Sequence, residues 1–215
     1  MHLRAARQPL TDSHMKSLHR PDLFGWSSFD EARNLDFNSV LWRRPGGNIL
    51  FDPLSPSPHD RRHLEELGGA SWIVLTNSEH VRAAAELAAS LEAEVAGPAA
   101  EQAGFPIRCD RWLAEGDALV PGLVAFEMQG SKTPGELALL LEETTLVTGD
   151  LIRGQRGGSL NLLPDAKLKD ARRALESVVG LLRYTRIDAV LVGDGWPVFR
   201  DGHARLRELV DSARR

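Results

Sequence analysis

The chain has 215 residues, 42% hydrophobic and 26% charged, the make-up of an ordinary folded protein with room for one large domain or a cramped pair. A net charge of -4 and a pI near 6.0 argue against nucleic acid as the main partner. A single cysteine, Cys109, excludes an intrachain disulfide and a cysteine-rich zinc module, and no apolar run approaches the roughly 18–20 residues that span a bilayer. Residues 1–22 are basic and lack an apolar segment, so they read as a flexible arm and not as a secretory signal. Residues 23–215 then form one domain, and the cytoplasm is the default compartment.

Residues 37–43 and 48–52 read as a strand pair joined by Arg44-Pro45-Gly46-Gly47, and Asp52-Pro53 ends the second strand. A helix over 58–67 follows, with Pro58 in its first turn and Gly68-Gly69 as its stop. Trp72-Ile73-Val74-Leu75 is a short buried strand. After the polar turn at 76–80 comes a helix with Val81, Ala84, Ala88 and Leu91 on one face. That turn puts polar side chains at the carboxyl end of a strand, where layered α/β folds bind ligands. Residues 94–96 make another short strand.

Strands over 123–128 and 136–141 flank the turn 129–135, and a third, 144–148, ends at Gly149-Asp150. Residues 154–158 are a flexible loop. Residues 168–182 form an amphipathic helix, with Leu168, Ala171, Leu175, Val178 and Leu182 in register. A buried strand over 187–192 ends in Gly193-Asp194-Gly195, and a helix near 203–213 closes the chain. This order fits two sheets with helices outside better than one doubly wound sheet.

Five landmarks in order resemble the metallo-β-lactamase superfamily from about Asn38 onward. They are Phe51-Asp52-Pro53, the strand-turn-helix from Leu75 to Arg82, Thr133-Pro134-Gly135, Thr148-Gly149-Asp150, and Gly193-Asp194-Gly195-Trp196-Pro197. The resemblance implies a four-layer αββα sandwich, an α/β (α+β) fold of two mixed sheets flanked by helices. It also implies a site at the strand ends. The family's H-x-H-x-D-H turn reads here as Asn77, Glu79, Val81 and Arg82. The later histidine positions hold Lys132 and Asp194, and the bridging aspartate is kept as Asp150.

None of those seven positions is a histidine, and zinc in hydrolytic sites prefers imidazole. The dinuclear zinc centre is therefore not expected, and no metal is favoured. The reading adopted is a degenerate, metal-free pocket, non-catalytic or ligand-binding. In it Lys132 and Arg82 balance Glu79, Asp150 and Asp194 beside Asn77. The alternative is a hydrolase of an ester, thioester, amide or phosphoester. It would use Mg, Mn or Ca on Glu79, Asp150 and Asp194, with His80 joining if the turn is rotated. A third reading makes Lys132 beside Asp150 a metal-free acid–base pair. A small molecule is the partner class expected, and no pattern in the sequence sets the oligomeric state.

Plainer roles are available for several of these residues. Thr76-x-x-Glu79 fits a capping box. His80 reads as a surface histidine, Arg82 as a solvent-pointing cation and Cys109 as an inert buried thiol. Trp196-Pro197 suggests a pocket wall beside Asp194. Asp150, at the end of an apolar strand, needs a structural or chemical reason to be there.

Overall fold

The computed structural model describes residues 15–215, and its strands divide between two main sheets. The first holds β1 Lys16–Ser17, β2 Leu23–Asp30, β3 Leu35–Trp42, β4 Ile49–Phe51, β5 Trp72–Val74, β6 Glu94–Pro98 and β7 Arg111–Leu113, side by side in that order. Neighbours pair antiparallel from β1 to β4 and parallel from β4 to β7. The chain then runs through β8 Leu123–Glu127, β9 Leu137–Leu141 and β10 Thr145–Thr148. A separate hairpin of β11 Ile152–Arg156 and β12 Ser159–Leu162 precedes β13 Ala189–Val192. The second sheet has the order β13-β10-β9-β8, with β10 and β13 parallel and the rest antiparallel.

Side-chain alternation along the strands builds the layers. In β9, Leu137, Leu139 and Leu141 face the first sheet and join Trp42, Ile49, Phe51 and Val74 in the core between the sheets. Ala138 and Leu140 face the other way, onto α3 Ala171–Leu181 and α4 Gly202–Ala213. In β4, Leu50 points outward to pack with Leu64 of α1 Pro58–Glu66 and with Ala84 and Leu87 of α2 Ala84–Leu91. The result is α1 and α2, sheet, sheet, α3 and α4: the expected αββα order. A strand such as β9 is apolar throughout because both of its faces are covered.

Local chemistry explains the helix ends. Ser57 and Asp60 form a reciprocal capping box at the start of α1, with proline in the first turn. Gly68 and Gly69, at φ +93° and +68°, end it. Asp170 caps α3 by accepting from the backbone N–H of Arg173.

Several expectations are corrected. Residues 15–22 are not a loose arm: Met15 is buried, and Lys16 and Ser17 pair with Gly25 and Phe24. Residues 1–14 of that arm lie outside the described residues. Strands β2 and β7 are additional to those expected. The loop expected at 154–158 is strand as far as Arg156, the end of β11, and only Gly157 and Gly158 form the turn to β12, since Ile152 and Leu160 pack into the core beside α4. Leu168 precedes α3, following a short 3₁₀ turn, Asp165–Lys167. The helix after β5 is interrupted too: a 3₁₀ turn, Ser78–His80, comes first, and α2 starts only at Ala84. Arg82 has φ 45°, which a continuous right-handed helix excludes.

Among the described residues no helix is long and apolar enough to cross a membrane. Leu139→Ala, in the core between the sheets, should lower unfolding stability by about 2–5 kcal/mol with an unchanged urea m value. Chemical denaturation followed by tryptophan fluorescence measures both quantities.

Candidate functional site

Four strands deliver their carboxyl ends to one edge of the sandwich. Directly beyond β4 comes Asp52, beyond β5 come Thr76 and Asn77, beyond β10 comes Asp150, and beyond β13 comes Asp194. Backbone bonds stitch the two sheets together here. Asn38 N–H donates to Gly193 O at 2.8 Å, Gly195 N–H to Asp36 O at 2.7 Å, and Leu137 N–H to Thr76 O at 2.7 Å. Gly193 allows a close approach, since a Cβ there would lie 2.9 Å from His80 Cε1. Gly195, at φ +91°, has the Gly154 carbonyl oxygen 2.3 Å from where its Cβ would be.

The turn after β5 is organised by Asp52. Thr76 donates its backbone N–H to Asp52 Oδ1 at 2.8 Å and its hydroxyl to Oδ2 at 2.6 Å. His80 Nδ1 lies 2.7 Å from the same Oδ2. Thr76 is therefore not the cap that the sequence suggested. Asn77 takes that role, accepting from Glu79 N–H at 2.9 Å. Glu79 does not fold back but projects outward to pair with Lys132.

His80 is buried, not on the surface. The tight 3₁₀ turn aims it at the strand ends, with Nε2 3.7 Å from Asp150 Oδ2. Burial opposes charging of the ring, but the Asp52 carboxylate outweighs it and holds the imidazole above its ordinary pKa. For Asp52, burial favours the neutral acid. His80, Arg82 and the Thr76 hydroxyl together outweigh that and hold the carboxyl below the usual range.

Arg82 does not point to solvent either. Its Nη1 donates to Asn38 O at 2.7 Å and to Asp52 O at 2.9 Å, and Nη2 sits 3.7 Å from Asp194 Oδ1. The other oxygen of Asp194 accepts from Arg153, a buried side chain of β11. Asp150 has only longer contacts, to Asn77 Nδ2 at 3.4 Å and to His80. Behind it Glu136 is fully buried, accepting from Ser131 Oγ at 2.5 Å and Leu151 N–H at 2.8 Å. Burial and the neighbouring Asp150 charge push the Glu136 carboxyl up to about 8.

These groups surround a cavity of about 710 Å³. Asp150, Asp194, His80, Glu79, Arg82 and Lys132 all line it, as do Arg153, Arg33 and Lys167. Asn77 lies behind Asp150. Trp196 is not the expected wall: it is 60% exposed, and Phe37, Leu54 and Leu163 supply the apolar lining. His80, Asp150 and Asp194 bring possible ligand atoms within 4.8 Å of one another, with His80 in the place expected for Glu79.

Asp52, Glu136 and Arg153 are the members that sequence reasoning missed. For Asp52 and Glu136, which flank the apolar strands β4 and β9, the signal was the one that flagged Asp150, whereas the β11 sequence IRGQR carries none for Arg153.

A family model described as the metallo-beta-lactamase superfamily matches residues 15–213. No curated protein matches. Among solved structures, the chain is similar to the DIM-1 metallo-beta-lactamase, with TM-score 0.72 and 14% identity over 93% of this chain and 97% of that one. It is also similar to the FIM-1 metallo-beta-lactamase of Pseudomonas aeruginosa in its mono-zinc form, with TM-score 0.66 and 17% identity over 89% and 91%. A metallo-beta-lactamase family protein from Thermus thermophilus has TM-score 0.66 and 20% identity over 91% and 80%.

Glu136 generates a pH prediction. Its folded pKa, about 8, lies above the ordinary 4.5, so the folded chain binds this proton more tightly than the unfolded one. Stability from this group is present below pH 4.5 and lost as pH rises toward 8, at up to about 1.4 kcal/mol per pH unit. Glu136→Gln should flatten that slope, read from urea unfolding at several pH values between 5 and 8. The residual loss at the alkaline end belongs to His80, whose contribution also fades as pH climbs through its raised pKa.

Proposed function

The chain belongs to the metallo-β-lactamase superfamily, a membership that implies a dinuclear zinc centre at this site, and we propose that this member works without one and binds a small molecule in a metal-free charged pocket. The observation that carries this reading is Asp194, at a ligand position, which is ion-paired with Arg153 and has Arg82 Nη2 at 3.7 Å. Of the described residues that line the cavity only His80 offers an imidazole, too few for a zinc pair. Local charge also closes without metal. The acids Asp52, Asp150, Asp194 and Glu79 stand against Arg82, Arg153, Lys132 and His80, whose imidazole Asp52 holds above its ordinary pKa, with Glu136 holding its proton. Lys132 pairs with Glu79 and not with Asp150, which weighs against a Lys132–Asp150 acid–base pair.

One observation favours a second reading, a single-ion hydrolase of an ester, thioester, amide or phosphoester. His80, Asp150 and Asp194 form a compact donor set, and Asp194 Oδ1 has no hydrogen-bond partner among the described residues. Asp52 holds His80 Nδ1 as outer carboxylates do for metal-bound histidines. An ion there would act as a Lewis acid.

Elemental analysis separates the two readings. The metal-free reading expects no stoichiometric transition metal in purified protein, and no change in melting temperature with chelator or with magnesium, manganese, calcium or zinc. A one-to-one ion whose removal destabilises the fold, in a manner abolished by Asp150→Ala, would establish the second reading instead. The charge network has its own signature. Arg153→Met strands a buried carboxylate and should cost about 3–5 kcal/mol, whereas Arg153→Met combined with Asp194→Leu should recover most of it. Denaturant unfolding of the single and double variants tests this.

A further inference from the structure

We propose that the ligand of this cavity is a small organic anion, a carboxylate or a phosphate ester, recognised by Arg33 and Lys167 at the rim and by Arg153 at the floor. This rests on the metal-free reading of the pocket and names the ligand class that the reading leaves open.

Charge on the cavity wall runs against charge on the whole chain. The molecule carries -4, yet the lining holds Arg33, Arg82, Lys132, Arg153 and Lys167 against Glu79, Asp150 and Asp194. Most of the inner cations are committed. Arg82 is held by two carbonyls and the Asp194 charge, and Lys132 is held by Glu79. The excess lies at the rim. Arg33 approaches Asp30 only at 3.8 Å, with its side chain 68% exposed. Lys167 is exposed and has no ion pair among the described residues.

The floor supplies the independent observation. Arg153 is 8% exposed, and while Nη2 serves Asp194, its buried Nε–H finds no acceptor among the described residues. That nitrogen is closed off from solvent, so an acceptor arriving with the ligand would meet the guanidinium through Nη1, which has no hydrogen-bond partner among the described residues. A cationic ligand would be repelled from this wall, and a neutral one would leave the rim charges unanswered. An anion with a second acceptor oxygen satisfies both ends. Phe37 keeps the rim ordered, with Arg33 and Arg82 centred 5.5 and 5.6 Å from its ring. The volume, about 710 Å³, suits a small metabolite-sized molecule.

The test is calorimetry and thermal shift on the full chain after chelator treatment, with citrate, inorganic phosphate and glycerol as probes. Citrate or phosphate should bind and raise the melting temperature at about 10 mM, and glycerol should do neither. Preference for citrate assigns a carboxylate ligand, and preference for phosphate a phosphoryl one. Affinity should fall as sodium chloride rises from about 20 to 200 mM. Lys167→Gln and Arg33→Gln, both exposed, should each weaken binding about tenfold while leaving the melting temperature of the free protein unchanged. Equal binding by both variants and the parent, or no binding of either anion to verified metal-free protein, overturns this proposal alone. Binding seen only after zinc or manganese is added overturns the metal-free reading and this proposal with it.

Discussion

Three aspartates at strand ends, Asp52, Asp150 and Asp194, are buried within a few ångströms of one another's partners, and balancing their charge is the constraint on which the site depends. Buried carboxylates are tolerated only when cations or several donors answer them. Here the answers come from distant parts of the chain. Arg82 links β3, the end of β4 and the loop after β13 through Asn38, Asp52 and Asp194. Arg153 brings the β11–β12 hairpin to the same carboxylate. The pocket and the junction of the two sheets are therefore one object, and a charge removed from the pocket is felt by the fold.

Backbone strain collects in the same place. Asp52 and Arg82 both occupy the left-handed region, at φ 44° and 45°, where side-chain-bearing residues are uncommon. Each is over-determined by its contacts. Asp52 holds Thr76 and His80, and Arg82 spends two donors on carbonyls. Strain retained by surrounding bonds in this way is a common feature of functional sites. At Arg82 it also has a direct structural effect, delaying α2 and leaving the 3₁₀ turn that turns His80 inward.

Similarity to solved metallo-beta-lactamases is a similarity of architecture, at 14–20% identity. Strand order and the approach of strand ends depend on alternating apolar faces and a few glycines, which tolerate wide sequence change. Site chemistry depends on individual donor atoms and does not transfer with the fold. A pocket in which guanidinium groups meet the aspartates is a physically consistent use of the same framework, since a delocalised cation can neutralise a buried carboxylate and hydrogen-bond it at once.

The sequence by itself determined the layering. Strands such as Leu137–Leu141 are apolar throughout because both faces are covered, and the helical spacing of apolar residues in Ala171–Leu181 marks a one-sided helix. It also pointed to Asp150 and Asp194, because a charge ending an apolar strand demands an explanation. Tertiary structure alone decided which charges meet. His80 looked like a surface residue because a helix was expected around it, and the left-handed Arg82 that prevents this is invisible in composition or periodicity. Arg153 and Glu136 were hidden for a related reason. Arg153 meets Asp194 41 positions away and Glu136 accepts from Leu151 N–H 15 positions away, and contacts at such separations are set by how whole layers pack, not by any local pattern.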